Sequence, residues 1–416
     1  MKNKYFLTGL ALYLLLLIGG FNLVNKKPSR KIRVGVLHSL TGTMAISERH
    51  VKNATLLAIE HINRRGGING RLIEPIIADG RSDWPTFASE AERLIQQEKV
   101  SVIFGCWTSA SRKTIKPIIE KYNNLLFYPV QYEGLESSPN IIYTGAAPNQ
   151  QIIPAVQWAF KNMGRRFFLV GSDYIFPRAA NEIIKDEAVR LGAQIVGEVY
   201  IKLGETQIKP VIEQIQTINP DIVFNTINGG TNREFFRDLS YAGITADDIP
   251  VMSFSMAEKE VEVIGAKIAE GHFACWNYFQ SIDSPKNRQL VRAYQAKYGP
   301  SATVSNPMAS AYSSVALWAQ AVKDAGTDAP IKVLQHLKGK SLESAEGEIM
   351  IDVENNHAWQ HARIGRLVEN GQFDIIWLSE KAIRPQPYPD YRSPGQWNEF
   401  LYSLYQSWGG HWENVE

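Results

Sequence analysis

The sequence predicts an α/β protein made of two doubly wound parallel sheets in tandem, each with helices on both faces. Three observations predict it. Short apolar runs alternate with amphipathic helical spans from residue 34 to residue 274. Several of those runs feed loops of aromatic, hydroxyl and amide residues, which suits strand ends that face a crevice. The rhythm restarts near residue 167 without a Pro/Ser-rich linker, which suits two lobes hinged around a cleft.

In the first unit, residues 34–37 read as a strand that ends in the loop 38–45. A helix over 47–64 follows, with Val51, Ala54, Ala58 and Ile62 on one face and Gly66 and Gly67 at its end. A strand over 72–78 leads to a helix opened by Asp83, Trp84 and Pro85, with proline in the first turn. Strands are expected over 102–106, 125–128 and 141–143, with a helix-like span from 112 to 124 between the first two.

In the second unit, strands are expected over 167–170, 195–200, 221–225 and 251–254, with helices over 179–191 and 208–218. Long amphipathic helices then cover 287–298 and 310–325, with a shorter one over 331–337. Residues 348–352 and 364–368 read as a hairpin, and 373–378 as a further strand. After the Pro-rich run 385–394, Trp397, Phe400, Leu401, Leu404, Tyr405 and Trp408 fall at helical spacing, the pattern of a helix docked on its own body.

The formal charge of +2 hides an asymmetry: residues 1–33 hold seven Lys or Arg and no acid, and the remainder carries 37 bases against 42 acids. An acidic body argues against nucleic acid as a partner. The uncharged run from Tyr5 to Val24 has the length to span a bilayer and basic flanks, so residues 1–33 read as a signal peptide or an N-terminal membrane anchor. Either places the body outside the cytoplasm. Cys106 and Cys275 each adjoin an apolar run and read as buried thiols. His357 and His361 have an i,i+4 spacing but lack the glutamate of a zincin, so neither a metal nor a cofactor is expected.

Two segments carry the chemistry, GCWTSAS at 105–111 and YPVQYEG at 128–134. Each directly follows an apolar run, so both sit at the carboxyl ends of adjacent strands. Aromatics, hydroxyls and an amide gather there with little net charge, an inventory for a small, neutral, polar molecule. Ser109, Tyr128, Tyr174 and Gln131 can donate hydrogen bonds to such a molecule and accept them from it. Trp107 and Phe176 can cover its flat faces. Asn228, Ser255 and Glu258 lie at strand ends of the second unit and can complete the site. Ser109 is also placed to cap the following helix, and Glu133 and Asp173 to brace their loops.

These motifs, with GCWTSASRK extended to 113, YTGAAPNQ at 143–150, GSDYIFPR at 171–178 and GHFACWNYFQSID at 271–283, resemble the type I periplasmic substrate-binding proteins of ABC transporters. The likeness runs over about residues 32–390 and is nearest to urea- and short-chain-amide-binding receptors. It implies a Venus-flytrap fold, a ligand held between the lobes, and the membrane subunits of an ABC permease as partner. It also implies ligand contacts at Trp107, Ser109, Tyr128, Val130, Gln131, Tyr174 and Phe176. Amide-binding regulators of this kind carry Tyr at the positions of Trp107 and Phe176 and Thr-Pro at those of Val130 and Gln131, so this chain looks more like the urea-receptor branch.

The expected lobes are 34–150 with 277–345, and 151–276 with 346–384, followed by the tail 385–416. The expected function is an exported receptor that delivers urea or a short amide to a permease. A membrane-anchored or regulatory amide sensor of the same fold, and a branched-chain amino-acid receptor, are the alternatives. An enzyme is disfavoured, because no Gly-x-Ser-x-Gly, P-loop, Gly-x-Gly-x-x-Gly or zincin pattern occurs.

Overall fold

The computed structural model describes residues 31–415. Strand β1 (Ile32–His38) is almost wholly buried, as a strand covered by helices on both faces must be. With β2 (Ile73–Asp79), β3 (Ile103–Gly105), β4 (Leu126–Tyr128) and β5 (Ile141–Tyr143) it forms a parallel sheet in the order β2–β1–β3–β4–β5. The order reverses between β1 and β3, which opens a crevice at their carboxyl ends. Helices α1 (Ala45–Arg64), α2 (Trp84–Gln96) and α3 (Ser109–Lys121) connect these strands. Asp83 caps α2 by accepting from Thr86 N at 2.9 Å.

The second sheet begins after α4 (Ile152–Asn162). It contains β6 (Arg166–Ser172), β7 (Gln194–Ile201), β8 (Ile222–Thr226), β9 (Val251–Ser253) and β10 (Phe273–Trp276), joined by α5 (Ile175–Leu191), α6 (Lys209–Ile218), α7 (Thr231–Tyr241), α8 (Glu258–Ile264) and α9 (Ala266–Ala269). Its parallel part runs β7–β6–β8–β9–β10, so its own reversal lies between β6 and β8. Helix α5 begins at Ile175 rather than near 179. Pro177 sits in its first turn, where no backbone N–H is needed, so Phe176 and Pro177 belong to the helix.

Three helices, α10 (Pro285–Tyr298), α11 (Asn306–Ala325) and α12 (Pro330–Leu337), follow, and the Tyr298 hydroxyl donates to the Asn53 carbonyl on α1 at 3.1 Å. The expected hairpin of 348–352 with 364–368 does not form. Strand β12 (Gly347–Ile351) pairs instead with β11 (Ser341–Ser344) and β13 (Ala358–Trp359) in a small antiparallel sheet. Strand β14 (Arg363–Leu367) pairs with β10 and with β15 (Phe373–Leu378) at the edge of the second sheet. Local turns decide this: only Ala345 and Glu346 separate β11 from β12, and Gly371, at φ +78°, lies in the turn from β14 to β15.

Ile349, Ile351 and Ala358 share a core with Phe104, Phe127 and Trp318 of the first sheet and α11. Residues 347–359, expected in the second lobe, therefore pack with the first, and the chain returns to the second sheet at β14. The last helix, α13 (Pro394–Ser407), docks on the body as its aromatic stripe requires. Trp397 and Leu401 are buried, and Trp397 Nε1 donates to the Pro389 carbonyl at 2.9 Å. Both cysteines are buried free thiols. Among the described residues no helix is long and apolar enough to cross a membrane. The apolar run from Tyr5 to Val24 lies outside the described residues.

Candidate functional site

The two strand-order reversals face each other. From the first, the loop after β3 carries Trp107; from the second, the loop after β8 carries Asn228. Trp107 Nε1 donates to Asn228 Oδ1 at 3.2 Å, and both side chains are buried. Cys106 takes a left-handed conformation, φ +70°, that swings the chain from β3 towards α3. Thr108, not Ser109, caps α3: its hydroxyl accepts from Ser111 N at 3.0 Å. Tyr128, at the end of β4, donates its hydroxyl to the Trp107 carbonyl. The aromatic of one strand end thus fixes the backbone that carries the other.

Beneath Trp107 lies a buried charge cluster. Arg112, on the first turns of α3, donates to Glu133 Oε1 and to Glu136 Oε1, each at 3.0 Å, and to Ser109 Oγ at 3.1 Å. Lys113 Nζ reaches Glu136 Oε2 at 3.0 Å, and the Ser109 hydroxyl donates to Glu133. The Arg112 guanidinium lies 4.7 Å from the Tyr128 ring centroid and 4.4 Å from that of Tyr132. Burial opposes charge at Glu136, but Arg112 and Lys113 hold its carboxyl well below the usual carboxylate range. Burial opposes charge at Arg112 too, yet Glu136 and Glu133 raise its pKa well above the ordinary value. Two cations and two carboxylates neutralise one another here.

Gln131 reaches across to the second lobe, donating from Nε2 to the Phe254 carbonyl at 2.7 Å and to Ser255 Oγ at 3.2 Å. Its Oε1 is buried and has no partner. Val130 is buried, with its carbonyl group where a Cβ on Gly145 would stand, so only glycine fits opposite it. Tyr174 sits at the cap position of α5 in extended conformation, with its ring 6.3 Å from that of Phe176, and both are buried. Burial, with the Tyr128 hydroxyl and Glu133 nearby, pushes the Tyr174 phenol far above its ordinary pKa. The second lobe's tyrosine thus stands beside the first lobe's cluster. A third cross-lobe contact joins Ser47 Oγ to Glu260 Oε1 at 2.6 Å.

A family model for the periplasmic binding protein domain matches residues 32–394. The chain belongs to the periplasmic binding protein family. It is 22% identical over 338 residues to the Leu/Ile/Val-binding protein homolog 6 of Brucella melitensis, covering 79% of this chain and 86% of that one. A shorter likeness, 38% over 124 residues, is to the limonene hydroxylase of Geobacillus stearothermophilus; it takes in 30% of this chain and 23% of that protein. Among solved structures, a solute-binding protein of an ABC transporter from R. palustris, in complex with 4-hydroxybenzoate, superposes with a TM-score of 0.75 at 21% identity, covering 85% of this chain and 98% of that one. The fold is the type I periplasmic binding protein fold.

In this periplasmic binding protein the side chains of Trp107, Ser109, Tyr128, Val130, Gln131, Tyr174, Phe176 and Asn228 are all buried, and Trp107, Gln131 and Asn228 make contacts between the lobes. Their hydrogen bonds divide them. Asn228 and Gln131 join lobe to lobe, Tyr128 supports Trp107, and Ser109 belongs to the charge cluster. Ser255 receives Gln131, whereas Glu258 accepts from Gln280 N at 2.7 Å. Asp173 braces Arg178 and Asn414.

Sequence reasoning missed Arg112, Lys113 and Glu136 as a unit. The signal was present: two adjacent bases one helical turn into α3, and two acids three residues apart in the loop that follows the next strand. Their pairing needs the sheet order to be known. His357 and His361 do not come together on a metal: His357 Nε2 meets the Tyr132 hydroxyl, and His361 Nδ1 meets the Ser379 carbonyl at 3.1 Å. Among the described residues no group of three ligating side chains could hold an ion.

Proposed function

We propose that this receptor captures urea or a short-chain amide between its lobes and hands it to the membrane subunits of an ABC permease. The observation that carries the reading is the internal neutrality of the cluster under Trp107. Arg112 and Lys113 are matched by Glu133 and Glu136, so neither cation is left to hold a free carboxylate. A carboxylate or zwitterion buried there without a fixed counter-charge would lose several kcal/mol. An uncharged amide loses little. Gln131 Oε1 supplies a buried acceptor for an NH2 group, and Trp107 and Phe176 supply flat apolar walls. Closure over the solute stabilises the closed form because contacts to both lobes exist only there.

A branched-chain amino acid is the second reading, favoured by the name of the Brucella relative. The charge balance of the cluster speaks against it. Thermal-shift screening of the full chain against urea, formamide, acetamide, leucine, isoleucine and 4-hydroxybenzoate tests the assignment. A shift with urea or an amide alone supports it; a shift with the amino acids or the benzoate alone overturns it.

A further inference from the structure

The C-terminal segment touches both lobes twice. The Arg384 carbonyl accepts from Asn149 Nδ2 and the Pro387 carbonyl from Leu135 N, each at 2.8 Å, on the first lobe. The chain then crosses to α5 of the second lobe, where Arg392 pairs with Glu182 at 2.8 Å and Asp186 at 2.7 Å. Beyond α13 it comes back. The Trp412 ring lies 5.1 Å from Lys113 Nζ on α3, while the Trp412 carbonyl accepts from Ile175 N at 3.0 Å on α5. Asn414 N donates to the Asp173 carbonyl at 3.1 Å, and Asn414 Nδ2 donates to Asp173 Oδ2 at 2.9 Å.

One residue therefore bears on both halves of the site. Lys113 holds Glu136 in the cluster that contains Ser109, and Ile175 stands between Tyr174 and Phe176. We propose that Trp412 is a positioning residue for the solute site, a latch that ties α3 of the first lobe to the 173–176 turn of the second and so holds the lobes closed. Opening the cleft separates Lys113 from Ile175, and Trp412 cannot keep both contacts. The latch stabilises the closed state whether or not solute is present, which tightens binding by raising the competent fraction. The effect on affinity rests on the cleft reading above; the effect on shape does not.

The test uses the full chain and its Trp412→Ala, Trp412→Phe and Asn414→Ala variants, with Tyr402→Ala on the exposed face of α13 as control. Small-angle scattering without solute reads the lobes directly, and calorimetry with urea reads affinity. Trp412→Ala is expected to raise the radius of gyration and weaken urea about tenfold, about 1.4 kcal/mol. Trp412→Phe keeps a ring over Lys113 and is expected to stay within about threefold of the parent. Asn414→Ala should shift the scattering in the same direction as Trp412→Ala. Unchanged scattering in a folded Trp412→Ala overturns the latch. If the parent itself ignores urea, the solute assignment fails while the scattering still decides the latch.

Discussion

Trp107 and Asn228 join the two lobes at their strand-order reversals, indole N–H to amide oxygen at 3.2 Å. Each belongs to a different sheet, and the contact exists only while the lobes are together. Trp107→Phe keeps an aromatic wall and deletes the donor, leaving Asn228 Oδ1 unpaired in the closed form. Loss of one buried hydrogen bond of about 1–2 kcal/mol should weaken solute binding roughly 5- to 30-fold. Asn228→Ala should do the same. Titration calorimetry on both variants checks this; unchanged affinity in both would remove the seam from the binding account.

Glu133 accepts from both Arg112 and Ser109 in a fully buried setting. Glu133→Ala leaves Glu136 as the one carboxylate bonded to the guanidinium and should cost about 3–5 kcal/mol of folding free energy. Glu133→Gln keeps an acceptor for Arg112 and should cost less. Chemical denaturation of the two variants gives the comparison, and equal stabilities would mean that the cluster is not held by its charge balance.

Glu258 carries a separate pH signature. Burial, with Glu260 and Glu262 adding repulsion, pushes its carboxyl up to about 8, although the Gln280 N–H opposes the rise. The folded protein thus holds a proton that the unfolded chain releases near its ordinary pKa. The stability this group contributes is complete below that ordinary pKa and is lost as pH rises through about 8. Glu258→Gln cannot ionise, so its stability relative to the parent should rise by a few kcal/mol between about pH 5 and pH 9. A constant difference across that range would show that Glu258 is not protonated in the folded state.

Much of the architecture is legible in the residues themselves. Apolar runs such as 34–37 and 102–106 sit between helical spans, and their loops converge where parallel sheets bind ligands. Trp107, Tyr128, Tyr174 and Asn228 stand at or just beyond strand ends, which is where the apolar runs of the sequence stop. What was not legible depended on partners distant in sequence. The 348–352 strand has two possible neighbours of similar pattern, and only the two-residue turn at Ala345 and Glu346 selects one. Likewise the Arg112 pairing with Glu133 and Glu136 joins residues more than twenty apart, through sheet order rather than any local period. The helix expected from 179 begins at Ile175, because Pro177 is tolerated in a first helical turn.

A cleft that selects for absence of charge should separate pairs of like-shaped solutes that differ in charge. Titration calorimetry of the full chain should be run with urea against guanidinium, and with acetamide against acetate. Urea or acetamide is expected to bind at least about 100-fold more tightly than its charged counterpart, the consequence of burying an ion without a free partner. Acetate or guanidinium binding as well as the neutral molecule of the same shape would contradict it.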